Sequence, residues 1–283
     1  MATPSIHDVD LSAAGHDFRL RVYPASEPTG DVLIWLHGGA FLFGDLEMPE
    51  ADATARGLTG HGVTVISVDY TLAPLDGAED YVPSRPIGTR PRAAYPVASL
   101  QVVATFDWAV ENAASLGGDP ARVSLGGASA GANLAAGAAL RLRDRGETQP
   151  FTQVLVYPAL HLPVLAPDAH LAELLAALPA TANLPPDFGF VVTRNYLGDA
   201  SPDELYAFPG GHDLRGSAPA LIISAETDEL RPSAEAYVGD LARGGVDVEY
   251  RKPTGTLHGF LNTPTVPGQR EVLAQIAQFL RRV

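Results

Sequence analysis

Residues 122–145 read RVSLGGASAGANLAAGAALRLRDR, and this stretch decides the fold. Its first residues, Arg122-Val123-Ser124-Leu125-Gly126, read as a short buried strand. From Ala132 to Arg145 apolar side chains recur at Leu134, Ala138 and Leu142, the spacing of a helix. Ser129 lies at the junction, flanked by Gly127 and Gly131. A strand-to-helix turn this tight strains the serine backbone and crowds the positions around it. Glycine two before and two after removes the Cβ atoms that would clash, and the hydroxyl is left exposed at the tip. With 28 glycines in the chain, the pattern G-x-S-x-G alone carries little weight. The strand before it and the helix after it identify a nucleophile elbow.

Outward from this turn, strand-like and helix-like segments alternate. Val32–Leu36, Val63–Val68, Val123–Leu125, Val154–Tyr157, Ala220–Ser224 and Val246–Tyr250 are expected core strands, and Phe18–Tyr23 an edge strand leading in. Helices are expected around Pro49–Leu58, Val97–Ala114, Ala130–Arg145, Pro232–Ala242 and Gly268–Arg282. The alternation predicts an α/β fold, a mostly parallel central sheet flanked by helices, in one domain over residues 1–283. Two segments break the rhythm. Residues 75–94, with Pro83, Pro86 and Pro91, read as an irregular surface insertion. Residues 161–216 hold two short helical patterns, Asp168–Leu178 and Pro186–Tyr196, and read as a small helical cap that contributes walls to a pocket.

Composition narrows the function classes. With 46% hydrophobic and 18% charged residues the 283-residue chain can bury a sizeable core. A net charge of −14 argues against nucleic acid or an anionic membrane surface as partner. The absence of cysteine excludes disulfides, thiol catalysis and cysteine-bound metal. Met1–Asp10 has no basic segment followed by an apolar run, and no stretch approaches the ~20 apolar residues of a membrane span, so a cytoplasmic location is the expectation. No P-loop or dinucleotide fingerprint is present, and His7-Asp8 and His212-Asp213 read as surface positions with no second cluster to complete a metal site. No cofactor and no metal are expected.

A serine hydroxyl becomes a nucleophile only when a base takes its proton and a third group orients that base. The order after an elbow is serine, then acid, then histidine. Asp228 follows the strand-like Pro219–Ser224, and His258 stands in the loop before the last helix, whereas His161 and His212 fall in the cap or its linker. Glu226 and Glu229 flank Asp228 as alternative acids; Asp228 is preferred for its place in the turn just past the strand end. His37-Gly38-Gly39-Ala40-Phe41 follows directly on Val32–Leu36, where a glycine turn can aim backbone N–H groups at an oxyanion. Gly39, Ala40 and Ala130 are the expected donors, with Gly38 shaping the hole. His37 is expected to fix the turn by hydrogen bonding, and Asp69 to be structural. Phe41, Phe43, Leu162 and Phe188 are the candidate pocket residues.

HGGAF at 37–41, DYTLAP at 69–74, GGASAG at 126–131, YLGD at 196–199, SAETDELRPSAEAY at 224–237 and LHGF at 257–260 together resemble the hormone-sensitive-lipase-like branch of the α/β-hydrolases, also called α/β-hydrolase fold-3. The resemblance runs from about residue 31 to the C-terminus. It implies a cofactor-independent carboxylic-ester hydrolase acting on a small-molecule ester, with Ser129 as nucleophile, His258 as base and then acid, and Asp228 orienting it. Short or medium acyl chains are the expected substrates. Members of this branch are often dimers, so a homodimer is a further expectation. The chain departs from the pattern at Ala128, where a carboxylate is often found, at Ala40, whose methyl narrows the space beside the acyl carbon, and in the longer 75–94 connection. An amidase, arylformamidase-type or carbamate hydrolase with the same triad stays open, as does a ligand-binding hydrolase-fold protein without turnover.

Overall fold

The computed structural model describes residues 5–82, 90–179, 187–264 and 267–283. Among these residues eight strands form one sheet: β1 (His7–Ala13), β2 (His16–Tyr23), β3 (Val32–Leu36), β4 (Thr64–Asp69), β5 (Val123–Ala128), β6 (Gln153–Val156), β7 (Ala220–Ile223) and β8 (Val248–Arg251). Their spatial order is β1-β2-β4-β3-β5-β6-β7-β8. β2 pairs antiparallel with both β1 and β4, and every pairing from β4 through β8 is parallel.

Parallel strands covered on both faces must be apolar on both, as inner strands such as β3 and β7 are, whereas the edge strand β8, with Glu249 and Arg251, is only partly buried. All five residues of β3 are buried: Val32, Ile34 and Leu36 join one core, Leu33 and Trp35 the other. β7 repeats the alternation, with Ala220 and Ile222 on the first side and Leu221 and Ile223 on the second. The first core is closed by α2 (Val97–Asn112), α3 (Ala130–Arg145) and α6 (Arg231–Arg243), the second by α1 (Pro49–Thr59) and α7 (Pro267–Arg282). On α7 the buried Val272, Leu273, Ile276, Ala277, Phe279 and Leu280 form one stripe. At about 1.5–3 kcal/mol for each large apolar side chain buried, these two layers supply the main driving force for folding.

The winding of the sheet places the site. From β3 the chain passes through α1 to β4 on one side, then through α2 back across β3 to β5 on the other. The order therefore reverses between β3 and β5. In open α/β sheets the crevice beyond the carboxyl ends of such a pair is where ligands bind. Here those ends carry His37-Gly38-Gly39 and Ser129.

The observed elements lie within a few residues of the expected ones, with two corrections. Phe18–Tyr23 is not the edge. β1 lies outside it and pairs along its whole length, from His7 opposite Val22 to Ala13 opposite His16. The signal for β1 was present: Val9, Leu11 and Ala13 alternate with polar residues and pack on the core, while Asp8 and Asp10 pair with Arg21 and Arg19. Residues 75–82 and 90–94 are also more than surface decoration. The Asp76 N–H donates to Asn195 Oδ1 at 2.9 Å, the Tyr81 hydroxyl to Asp187 Oδ1 at 2.8 Å, and Arg92 to the carbonyls of Leu42 and Ala73. Residues 83–89, with Pro83 and Pro86, lie outside the described residues.

Between β6 and β7 stand α4 (Ala169–Ala176) and α5 (Phe188–Leu197). Asp168 caps α4 by accepting from the Leu171 N–H at 2.7 Å. Pro186, the expected start of the second helical pattern, is outside the described residues. Among those described, no helix is long and apolar enough to cross a membrane.

Candidate active site

Ser129 forms the turn between β5 and α3 with φ 54° and ψ −118°, a positive φ that only a tightly held non-glycine residue retains. Its N–H donates to the Val156 carbonyl at 2.9 Å, and its carbonyl accepts from Asn133 at 3.1 Å. α3 starts so close to β3 that a Cβ on Gly131 would lie 2.2 Å from the Leu36 oxygen and 2.4 Å from that of His37. Glycine at 131 is therefore required by the packing of helix against strand.

Asp228 and His258 arrive on two loops that are paired with each other. Thr227 and Leu257 form an isolated parallel bridge, and the Thr227 N–H donates to the Thr256 carbonyl at 3.0 Å. This pairing brings His258 Nδ1 to 2.8 Å from Asp228 Oδ2 and His258 Nε2 to 3.0 Å from Ser129 Oγ. Because a carboxylate only accepts, Nδ1 carries the proton and Nε2 is left free to receive that of the serine. The second oxygen of Asp228 accepts from the Leu230 N–H at 2.9 Å. Of the alternative acids, Glu226 is committed to the Gly255 N–H at 2.7 Å, and Glu229 is exposed.

Burial is graded along this chain. The Asp228 side chain is wholly buried, Ser129 is 9% exposed, and the His258 side chain is 40% exposed. Water can therefore reach the imidazole and not the acid behind it. The protein crowding the other side of the ring pulls its pKa down. The charge and hydrogen bond of Asp228, with Glu50 and Glu229 adding to them, outweigh that and hold it above the ordinary histidine value.

The glycine turn completes the surroundings of Ser129. Gly39 has φ +107°, and a Cβ there would sit 1.9 Å from the Phe43 carbonyl, whose N–H in turn bonds the Gly39 carbonyl at 3.0 Å. Ala40 and Phe41 follow at φ 52° and 62°. His37 acts as expected of a support: Nδ1–H donates to the Gly38 carbonyl at 2.7 Å, and its ring stacks on Tyr70, 4.4 Å between centroids. The Tyr70 hydroxyl donates to the His37 carbonyl at 2.9 Å. Asp69 is paired with Arg90 at 2.5 Å, a structural contact.

The Gly38 N–H points away from the serine to Glu50 Oε1, 2.5 Å distant. Gly38 thus shapes the turn and has no N–H to spare for an oxyanion. Glu50 is the residue that the sequence did not single out. It is the second residue of α1, and acidic residues in a first helical turn are ordinary. Nothing local separates this one from Asp52 on the same turn. Ala128 does lack the carboxylate often found at that position, and Glu50 brings one near the elbow from another element.

Of the candidate pocket residues, Phe41 is buried and stacked on Tyr196. Phe43, Leu162 and Phe188 are half-buried against the main core, Phe188 with its ring edge-on to Tyr81 at 5.6 Å. Among the described residues no group of three or more side chains could hold a metal ion.

A model of the α/β hydrolase fold matches residues 89–262, and one of the carboxylesterase family matches residues 18–156. Carboxylesterase NlhH of Mycobacterium tuberculosis is 32% identical over 273 residues, spanning 94% of this chain and 78% of its own. An arylesterase of Saccharolobus solfataricus is 29% identical, spanning 98% and 83%. Among solved structures, the thermostable carboxylesterase EstE1 from a metagenomic library superposes with a TM-score of 0.81 at 31% identity, covering 99% of this chain and 90% of that one. The chain belongs to the α/β-hydrolase fold-3 carboxylesterases and is a carboxylic-ester hydrolase.

Proposed function

We propose that ester hydrolysis runs through an acyl-enzyme on Ser129. His258 is the base and then the acid, Asp228 orients it, and the N–H groups of Gly39, Ala40 and Ala130 hold the oxyanion. One observation carries this reading: the unbroken hydrogen-bond chain from Ser129 Oγ to His258 Nε2 at 3.0 Å and from His258 Nδ1 to Asp228 at 2.8 Å.

His258 Nε2 takes the hydroxyl proton as Oγ bonds to the ester carbonyl carbon, and the imidazolium is stabilised by Asp228. The carbonyl oxygen becomes an oxyanion that the backbone donors receive, each worth about 2.7–4 kcal/mol. Collapse of the intermediate breaks the C–O bond, and His258 returns the proton to the leaving alcohol. A water then enters from the solvent side of His258, loses its proton to Nε2, and releases the acid by the same steps in reverse order.

The substrate class proposed is small-molecule esters with short or medium acyl chains. The Ala40 methyl beside the acyl carbon and the half-buried Phe43, Leu162 and Phe188 support it. Residues 161–216 are proposed to act as the cap of a single domain, 1–283, with residues 75–82 packed against it through Asp76 and Asn195.

Aryl esters suit the test, the arylesterase relative being named for them. Ser129→Ala is expected to lower p-nitrophenyl acetate hydrolysis by about 10⁴-fold or more. A serine-directed organophosphate is expected to add its mass at Ser129 in the parent chain only. Turnover by Ser129→Ala at the parent rate would overturn the reading.

A further inference from the structure

Glu50 is 2% exposed, and three donors from three parts of the site converge on its carboxylate. The Gly38 N–H reaches Oε1 at 2.5 Å; the Tyr157 hydroxyl and Asn262 Nδ2 reach Oε2 at 2.9 and 3.0 Å. Its main chain is fastened as well. The carbonyl accepts from Trp35 Nε1 at 2.8 Å, and the N–H donates to Asn262 Oδ1 at 3.3 Å. These partners are neutral, so the carboxylate meets no compensating cation in them. A buried charge held in this way is a poor device for stability alone, because desolvation opposes it.

Each partner leads to a reacting group. Gly38 opens the turn that carries Gly39 and Ala40, and a Cβ built on it would lie 2.5 Å from Glu50 Oε1 and 3.1 Å from Ser129 Cβ. Tyr157 follows β6 with φ 38° and lays its ring against His258, 4.9 Å between centroids. Asn262 ends the short helical turn Phe260–Asn262 that follows His258. We propose that Glu50 is a positioning residue for ester hydrolysis, its carboxylate holding the glycine turn, Tyr157 and the His258 loop in one register, so that oxyanion donors and imidazole meet the same carbonyl. This rests on the assignment of Ser129, His258 and Asp228 made above.

The charge itself has a second effect. The charged and titratable groups around His258 are Asp228 and Glu229 from the loop after β7, Glu50 from α1 and Tyr157 from the end of β6. Facing Glu50 are Tyr157 and Tyr70, whose hydroxyls it helps keep protonated, and His258. A negative charge fixed there favours the imidazolium that forms as Ser129 gives up its proton.

Glu50→Gln keeps the volume and one acceptor for Gly38 but removes the charge and turns an N–H₂ toward Asn262. With active sites counted by organophosphate titration, the expected result is a kcat about 10-fold lower, KM within about twofold, and an acid limb of kcat/KM displaced to lower pH. Glu50→Asp, which restores the charge but not the reach, is expected to recover the acid limb and not the full kcat. An unchanged kcat and acid limb per titrated site in Glu50→Gln would overturn the proposal, as would a loss that merely follows the amount of folded protein. If Glu50→Gln does not fold, Tyr157→Phe and Asn262→Ala are measured. Each is expected to lower kcat several-fold per site, and parent values in both would overturn the proposal. Ser129→Ala keeps the two questions apart: full activity there removes the underlying assignment, whatever Glu50 does.

Discussion

Phe41 and Tyr196 lie face to face, their ring centroids 3.8 Å apart and their planes within 7°. Phe41 belongs to the glycine turn and is held at φ 62°; Tyr196 belongs to α5, in the segment between β6 and β7. Tyr95 and Phe208 meet the Tyr196 ring edge-on, and the Tyr95 N–H donates to the Tyr196 carbonyl at 2.7 Å. The conformation of the glycine turn is thus buttressed by a helix outside the regular β/α alternation. Tyr196→Ala is expected to cost about 3–5 kcal/mol of stability and to lower kcat more than it changes KM. Tyr196→Phe should do neither: its buried hydroxyl has no partner among the described residues. Removing it is expected to hold or raise Tm by a few degrees, read by thermal melts of the two variants.

The pKa of His258 is raised above the ordinary value near 6.5, and in the proposed mechanism its imidazole must be neutral to act as base. Activity is therefore expected above the raised value and expected to be lost as pH falls through it. The acid limb of kcat/KM is expected to have its midpoint above about 6.5. In Asp228→Asn the charge that raises the imidazole is gone and the tautomer is no longer fixed. Its kcat is expected to fall by about 10⁴-fold, with the residual acid limb moved to lower pH. A pH–rate profile of each protein checks both statements.

Gly39 and Ala40 should respond in opposite ways. At φ +107°, with the Phe43 carbonyl 1.9 Å from where a Cβ would be, Gly39→Ala is expected to destabilise by more than about 1 kcal/mol and to displace its own N–H from the oxyanion. Ala40, at φ 52°, already bears the strain of a side chain in the left-handed region. Ala40→Gly is expected to leave Tm unchanged or higher and to raise kcat/KM for branched acyl esters relative to acetates. Competition between paired substrates measures the second effect.

Asp31 is 2% exposed, and its carboxylate is bound by Arg122 at 2.7 and 2.9 Å and by the Thr29 hydroxyl at 2.7 Å. The same guanidinium lies over Phe151 at 4.3 Å and also donates to the Leu280 carbonyl of α7. Arg122→Met strands a buried carboxylate and is expected to cost about 3–5 kcal/mol. The double variant with Asp31→Asn should recover part of that. Because the pair lies at the amino end of β5, far along the strand from Ser129, kcat per folded molecule should stay unchanged. Chemical denaturation and active-site titration test the two halves.

What could be read from the sequence follows from which interactions are local. The elbow, the glycine turn and the strands each depend on neighbours within a few residues, and their periodicity or glycine spacing announces them. That Asp228 and His258 meet Ser129 could be expected because a fixed chain order relates such residues, even though the Ser129–His258 contact spans 129 residues. Glu50 was not legible in this way, because what distinguishes it is a meeting with Asn262, 212 positions away. The Phe41–Tyr196 stack is of the same kind. β1 is a different case, since its alternation at Val9, Leu11 and Ala13 was present, but its burial is too partial for an apolar run.

The close approach of α3 to β3 at Gly131 divides the site into a part that can vary and a part that cannot. Elbow and glycine turn share one backbone-to-backbone contact, so neither moves without the other. Selection for a new ester has no purchase there. It can act on side chains that leave this backbone contact in place: that of residue 40, those of α5 other than Tyr196, and those of residues 75–82 and 90–94, which meet α5 through Asp76 and Tyr81. Diversification of acyl preference in such a chain is expected to accumulate in those three places while the serine, its glycines and the ends of β3 and β5 stay fixed.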